Sequence, residues 1–283
     1  MFKKNKFKTY VFLFLSFFLI VFLIKEIKTS VFLKNQDRVN IVFYSSQPKF
    51  ISLSKNDLNY LVGFSSKNEI LVPGGYQDYK IGALGKLVYL EKKPDLFKKT
   101  FSGALMIFVD LYFYPKKVEI YYQEKNELTF PKISDIFLQN SNANFLDRIL
   151  LAFKIFNLKK NNFRIVDLQN QSLDQKDLIK KLQGYFYKES YRQSQETVQI
   201  LYSKSYLTAE FISNIISGEG IRVVDISFQD KEKINKCQVI TKQKTPTSLA
   251  IANYFSCFLK IGETDISDII LKLGTLEREW AVN

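Results

Sequence analysis

One run of fifteen residues near the N-terminus, Tyr10 to Ile24, constrains this chain more than any other stretch, because no soluble core asks for it. The run carries no charge, and Ser16 is the polar residue that interrupts its Phe, Leu, Ile and Val. Lys3, Lys4, Lys6 and Lys8 precede it. Cytoplasmic flanks of spanning helices collect such lysines, so the expected arrangement is a short N-terminus inside and everything after Ile24 outside. At ~1.5 Å per residue the run covers roughly 22 Å, against a hydrocarbon core of about 30 Å, which requires Lys8 and Lys25 to snorkel to the interfaces. A cleaved signal peptide also has a basic region and an apolar region, but its cleavage site needs small residues. This chain has no alanine before Ala83 and no glycine before Gly63, which favours an uncleaved single-pass anchor within residues 1–30.

The 253 residues beyond the anchor suit one large domain or two modest ones. The net charge of +13 falls to +8 without the first thirty residues. A basic surface outside a membrane favours anionic lipid headgroups or phosphate-bearing wall polymers over nucleic acid. The 35 lysines against six arginines also match the codon bias of an AT-rich genome, which weakens that inference. Histidine is absent, so Ser-His-Asp and Cys-His catalysis and the histidine-bearing zinc sites are excluded. Gly82-Ala83-Leu84-Gly85-Lys86 lacks the spacing and the Ser or Thr of a phosphate loop and reads as a turn into a helix.

In chain order, Val31 to Asp37 reads as a tether and Val39 to Tyr44 as the first strand. Strands are expected at Phe50 to Leu53, Tyr60 to Phe64 and Glu69 to Val72, ending in the Pro73-Gly74-Gly75 turn. Helical spacing follows from Ile81 and again after Pro94, then strand character at Ile107 to Phe113 and Val118 to Tyr122. Ile133 to Leu138 and Phe145 to Phe156 read as helices, the second with Leu146, Ile149, Leu150 and Phe153 on one apolar face. Phe163 to Leu168 reads as a strand, Asp177 to Tyr187 as a helix, and 171–196 as the linker between two domains.

The last module, 197–274, reads β-α-β-β-α-β. Its first helix, Tyr206 to Ser217, has Leu207, Phe211, Ile212, Ile215 and Ile216 inward and is stopped by Gly218 and Gly220. Thr245 caps the second, with Pro246 in its first position. The order predicts a two-layer α+β domain with helices on one sheet face. Cys237 opens a strand and the helix from Pro246 to Phe255 runs back over it, bringing Cys257 near Cys237. Outside the cytoplasm a bridge between them persists; the alternative is two buried free thiols.

Val198 to Leu201, the glycine-ended helix before Ile221 to Val224, and the closing Ser267 to Gly274 together resemble the LytR C-terminal domain. Over roughly 38–170 the chain resembles the LytR-CpsA-Psr domain of bacterial envelope proteins, through Asn40-Ile41-Val42, Val72-Pro73-Gly74-Gly75-Tyr76 and Tyr79 to Leu84. The resemblance implies an exported αβα domain on one anchor at the cell membrane. It also implies transfer of anionic glycopolymer from a polyprenyl pyrophosphate to peptidoglycan, with magnesium and arginines on the pyrophosphate. This sequence departs from that pattern. It runs from Tyr44 through Pro48 into the next strand with no arginine, and Ser65-Ser66-Lys67-Asn68 stands where an arginine is usual. The domain has only Arg38, Arg148 and Arg164, and lysine does not replace a bidentate guanidinium.

Lys67 and Asp78 are the candidate site residues, each with a plainer reading as a solvated lysine and a turn aspartate. Arg148 reads as a surface residue, and Tyr76, Tyr79, Tyr112, Tyr121 and Tyr122 as core packing or a groove for lipid or sugar. The expectation is therefore a membrane-anchored extracytoplasmic envelope protein with a degenerate LytR-CpsA-Psr-like domain. It is expected to bind wall glycopolymer or peptidoglycan without catalysis and without a cofactor. The alternatives are an active transferase, which would need magnesium, and a structural scaffold for other envelope proteins.

Overall fold

A computed structural model describes residues 3–34, 37–117, 119–122, 128–158, 160–169, 171, 173–229 and 236–282. Helix α1 spans Lys3–Thr29, and its segment Tyr10–Thr29, with a mean hydropathy of 2.3, is long and apolar enough to cross a membrane. Those 20 residues give a length of ~30 Å, the thickness of the hydrocarbon core. The helix carries on past Ile24 through Lys25 and Glu26 to Thr29. The tether is also replaced by structure, because Val31–Lys34 forms a helical turn, α2, docked on the next domain; Asn35 and Gln36 of that stretch lie outside the described residues.

The first domain is built on strands β1 (Arg38–Phe43), β2 (Lys49–Ser54) and β3 (Asn59–Phe64), then the hairpin β4 (Glu69–Val72) and β5 (Gln77–Lys80). Helices α3 (Ile81–Glu91) and α4 (Asp95–Leu105) follow, then β6 (Leu111–Tyr114), α5 (Ile133–Phe137), β7 (Asn140–Ser141), α6 (Phe145–Asn157) and β8 (Phe163–Leu168). The main sheet has the order β7-β6-β1-β2-β3-β8. β1 and β2 are antiparallel with Ile41 opposite Ile51, while β1 and β6 are parallel with Val42 opposite Tyr112. Both sheet faces are covered, so successive residues of β1 enter different cores. Val42 and Tyr44 join α3 and α4 on one face, whereas Val39, Ile41 and Phe43 join Ile136 of α5 and Leu151 of α6 on the other. This is an αβα arrangement.

Helix α6 forms where expected but packs differently. Its buried residues are Asp147 and Leu151, while Ile149 and Phe153, of the apolar face read from the sequence, are exposed. The strand expected at Ile107 to Phe113 begins only at Leu111, since Met106 closes α4 in a left-handed conformation and an irregular passage follows. Residues 119–122 are irregular, and Val118, where that strand was expected to start, lies outside the described residues.

Within 171–196, α7 (Gln175–Leu182) and α8 (Glu189–Ser194) are ordered, and Leu178, Leu182 and Phe186 are fully buried in the first domain's core. The last module comprises β9 (Thr197–Tyr202), α9 (Tyr206–Gly218), β10 (Arg222–Phe228), β11 (Gln238–Thr241), α10 (Pro246–Phe255), β12 (Phe258–Ile261), β13 (Ile269–Lys272) and α11 (Leu276–Glu279). Its sheet order is β10-β9-β13-β11-β12. Strand β12 and helix α11 add to the β-α-β-β-α-β order read from the sequence. Val198, Ile200, Val239, Ile269 and Leu271 pack under Ile212, Ile215 and Ile216 of α9 and Ile251 and Phe255 of α10, which gives the two-layer α+β module. Leu207, expected inward, is exposed; Thr208 and Ala209 take the inner positions. Met106 and Phe108 of the first domain belong to this second core, and a Cβ on Gly218 would overlap the Met106 carbonyl, so the two modules are in close contact.

Candidate functional site

Parallel strands β1 and β6 open their carboxyl ends on one sheet edge, the position where α/β sheets bind ligands. Tyr44 follows β1 there. Its hydroxyl donates to the Gly82 carbonyl at 3.1 Å and accepts from the Gly85 N–H at 2.8 Å, both in α3. Phe97 lies 4.7 Å from its ring and Tyr121 5.8 Å. Beside them the Tyr112 hydroxyl donates to Asp95 at the start of α4, at 3.0 Å. Burial pushes the Tyr44 phenol well above its ordinary range; burial and then Asp95 do the same to Tyr112. Both stay neutral hydrogen-bond donors at any physiological pH.

A pyrophosphate at this edge would use free N–H groups at the start of α3. The first two of those groups are engaged by the chain itself. The Ile81 N–H donates to the Asn68 carbonyl at 2.9 Å and the Gly82 N–H to the Ser66 carbonyl at 2.8 Å. The Tyr121 N–H donates to the Gly82 carbonyl at 3.0 Å, and its own carbonyl lies so close that a Cβ on Gly82 would overlap it. Glycine at 82 is what permits this approach.

The arginines do not converge on that edge. Arg38 is buried, donating to Ser52 Oγ at 2.9 Å and the Leu58 carbonyl at 3.2 Å and pairing with Asp57 at 2.7 Å. Arg148, expected at the surface, is half-buried. It donates to the carbonyls of Ile136 and Gln139, tying α6 to the end of α5. Arg164 lies over the Tyr185 ring at 4.9 Å. Lys67 is exposed in the turn after β3, and Asp78 is exposed on β5, a strand position and not a turn. Among the described residues neither takes part in an ion pair. Of the five tyrosines, Tyr112 is buried, Tyr76, Tyr79 and Tyr121 are half-buried against the core, and Tyr122 is exposed. Asp95 at this edge already accepts from Tyr112, and among the described residues no three Asp, Glu or Cys side chains converge.

Comparison of the chain with protein-family models, curated proteins and solved structures found no match.

A second concentration of charge lies between the modules. Lys188 Nζ stands 3.2 Å from Asp110 and 3.0 Å from Glu219, with Lys188 and Glu219 almost wholly buried. Glu219 also accepts from the Phe108 N–H at 2.7 Å, and Asp110 from the Asn40 N–H at 2.8 Å. Burial raises the Glu219 carboxyl to about 7 against the opposing pull of Lys188. Lys98 donates to the Tyr254 carbonyl at 3.2 Å and lies 3.9 Å from that ring, and burial lowers its pKa to about 8. Tyr254 stacks on Phe108 at 4.0 Å and shares a short hydrogen bond with Ser102. These charges face one another, so the cluster serves as an internal joint. Sequence reasoning missed it because its members lie far apart along the chain.

Cys237 and Cys257 immediately precede β11 and β12, which pair in parallel with Gln238 opposite Phe258. The two cysteines therefore stand side by side, Cα atoms 4.8 Å apart, and form a disulfide. The neighbouring strand β12, more than the end of the helix, brings Cys257 into place.

Proposed function

We propose that this chain is a membrane-anchored, extracytoplasmic envelope protein whose exported part binds wall glycopolymer or peptidoglycan without catalysing its transfer. The anchor and its side of the membrane are supported by the lysines ahead of Tyr10 and by the disulfide, which suits an oxidising exterior. The resemblance to LytR-CpsA-Psr envelope proteins supplies the ligand class. The observation that carries the non-catalytic reading is the start of α3, where the carbonyls of Asn68 and Ser66 accept from the N–H groups of Ile81 and Gly82, which a pyrophosphate would use. Arg38 and Arg148 are committed to structural hydrogen bonds, which supports the same reading, because neither guanidinium is free to meet the charge of a transferring phosphoryl group.

The test uses the full chain in detergent micelles with two readouts. It is expected to cosediment with purified wall sacculi and to give no transfer or hydrolysis of a polyprenyl-pyrophosphate-linked glycopolymer in the presence of magnesium. Turnover that scales with protein would establish the transferase instead. Failure to cosediment would remove the wall as the ligand.

A further inference from the structure

The face of α6 turned away from the core is apolar where a free surface would be polar. Phe145, Ile149, Phe153 and Phe156 are 55%, 42%, 69% and 80% exposed. Their spacing sets them along one stripe of the helix, opposite the buried Asp147 and Leu151. Beside this stripe, α5 exposes Ile133, and Leu138 just after it is also exposed. Between the two helices lies an apolar groove of about 360 Å³, lined in part by Phe130, Ile133, Ala152, Ile155 and Phe156. Contiguous exposed aromatic surface of this kind marks a site of contact.

Where the stripe sits identifies what it meets. The end of α1 is fastened to the start of α6, with Asn144 Nδ2 donating to the Glu26 carbonyl at 2.9 Å and the Leu146 N–H donating to the Glu26 carboxylate at 3.0 Å. One turn on, Asp147 accepts from Ser30 Oγ at 2.6 Å and from the N–H groups of Val31 and Phe32 at 3.1 and 3.2 Å. A helix of 13 residues is ~20 Å long, so the whole stripe lies within about that distance of the point where α1 ends its apolar segment. The surrounding charge is mainly positive, and Asp135 on α5 accepts from the Lys132 N–H. Lys25, Lys28, Lys34 and Lys132 are exposed, while Glu26 and Asp147 are consumed in the fastening.

We propose that the outward face of α5 and α6 is a second membrane contact. It seats in the headgroup and upper acyl region of the leaflet that α1 leaves, with lysines on anionic headgroups and an acyl chain against the groove. The proposal rests on the reading of α1 as a membrane anchor. With this contact the exported part lies against the bilayer at a fixed attitude, α1 and α6 acting as two points of attachment.

The experiment places tryptophan in the full chain, reconstituted into phosphatidylcholine vesicles with a minor share of phosphatidylglycerol, and reads quenching by brominated phospholipid. Trp280 is the chain's own tryptophan and is buried in the last module, so it provides an unquenched background and a check on folding. Phe156→Trp and Phe153→Trp are each expected to lose at least half of the added emission. Phe228→Trp, an exposed position in the last module, is expected to lose none. Phe18→Trp in α1 reports on the anchor. Quenching of Phe18→Trp without quenching at 153 and 156 overturns the second contact and leaves the anchor standing. No quenching at Phe18→Trp removes the anchor and the proposal with it. Quenching at 228 as strong as at 156 also overturns the proposal, because the ectodomain would then adhere without using this face. The two variants on α6 are independent, so failure of one to fold leaves the other to decide.

Discussion

Helices α6 and α9 have the same length, 13 residues, and each is capped by a side-chain oxygen, Asn144 accepting from Asp147 and Ser205 from Thr208. Both read as amphipathic in the sequence. α9 buries Phe211, Ile212, Ile215 and Ile216, whereas α6 buries Asp147 and Leu151 and turns its phenylalanines outward. The contrast shows that periodicity establishes two faces of a helix without saying which one meets the core. In α6 the inner stripe carries a carboxylate whose partners come from the end of α1 and from α2. Asp147 is therefore satisfied only with that stripe inward, which leaves the phenylalanines on the outside.

The largest expected effect breaks this comparison directly. Ile215→Ala removes a fully buried side chain and is expected to cost about 2–5 kcal/mol. The same truncation on the other helix, Ile149→Ala, is expected to cost within about 0.5 kcal/mol, as at other exposed positions. Denaturant unfolding of the full chain in detergent micelles measures both. Equal losses would mean that α6 packs its apolar face in the protein after all.

A smaller effect sharpens it. Asp147→Ala leaves Ser30 and the N–H groups of Val31 and Phe32 without their acceptor, at an expected cost of about 1–3 kcal/mol. Ser205→Ala on α9 removes an ordinary cap and is expected to cost about 1 kcal/mol. Only Asp147→Ala should also open the joint between α1 and α2, read as faster limited proteolysis between Thr29 and Lys34. Equal cleavage of the two variants would show that Asp147 is no more than a cap.

Legibility followed the range of the interactions. The strands β1 and β3 announce themselves through local β-branched and aromatic runs, and α10 through Thr245 followed by Pro246. Helix α2 does not, because a four-residue turn has no stability of its own and depends on Asp147, distant in sequence. Strand β12 is four residues at a sheet edge, legible only once its partner is known. The engaged start of α3 was equally hidden, since its partners come from Ser66, Asn68 and Tyr121 on separate segments. The missing arginines, by contrast, were visible at once in the sequence.

A pH-dependent effect concerns the charges where the last module meets the first. Glu219 stands at the C-terminal end of α9, where the helix dipole disfavours a negative charge, and it is buried beside Lys188, Asp110 and Tyr191. Its carboxyl titrates at about 7 in the folded chain, against about 4.3 when unfolded. Between those values the folded state holds the extra proton, so stability is fully present below the lower value and falls as pH rises towards the upper one. The slope is at most one proton, about 1.4 kcal/mol per pH unit. Lys98 works in the opposite sense. Facing Asp110, Asp95, Lys99 and Lys188, it titrates at about 8 in the folded chain, against about 10.4 unfolded, and its contribution returns as pH climbs between the two. Lys188 is shifted upward and Asp225 and Asp268 downward, so none of them titrates between pH 5 and 8. Denaturant midpoints measured from pH 5 to 10 are thus expected to pass through a minimum between 7 and 8. Glu219→Gln should flatten the acidic arm and Lys98→Met the alkaline one. A wild-type curve already flat from pH 5 to 7 would mean that Glu219 keeps its charge in the folded chain, with Lys188 fully offsetting its burial.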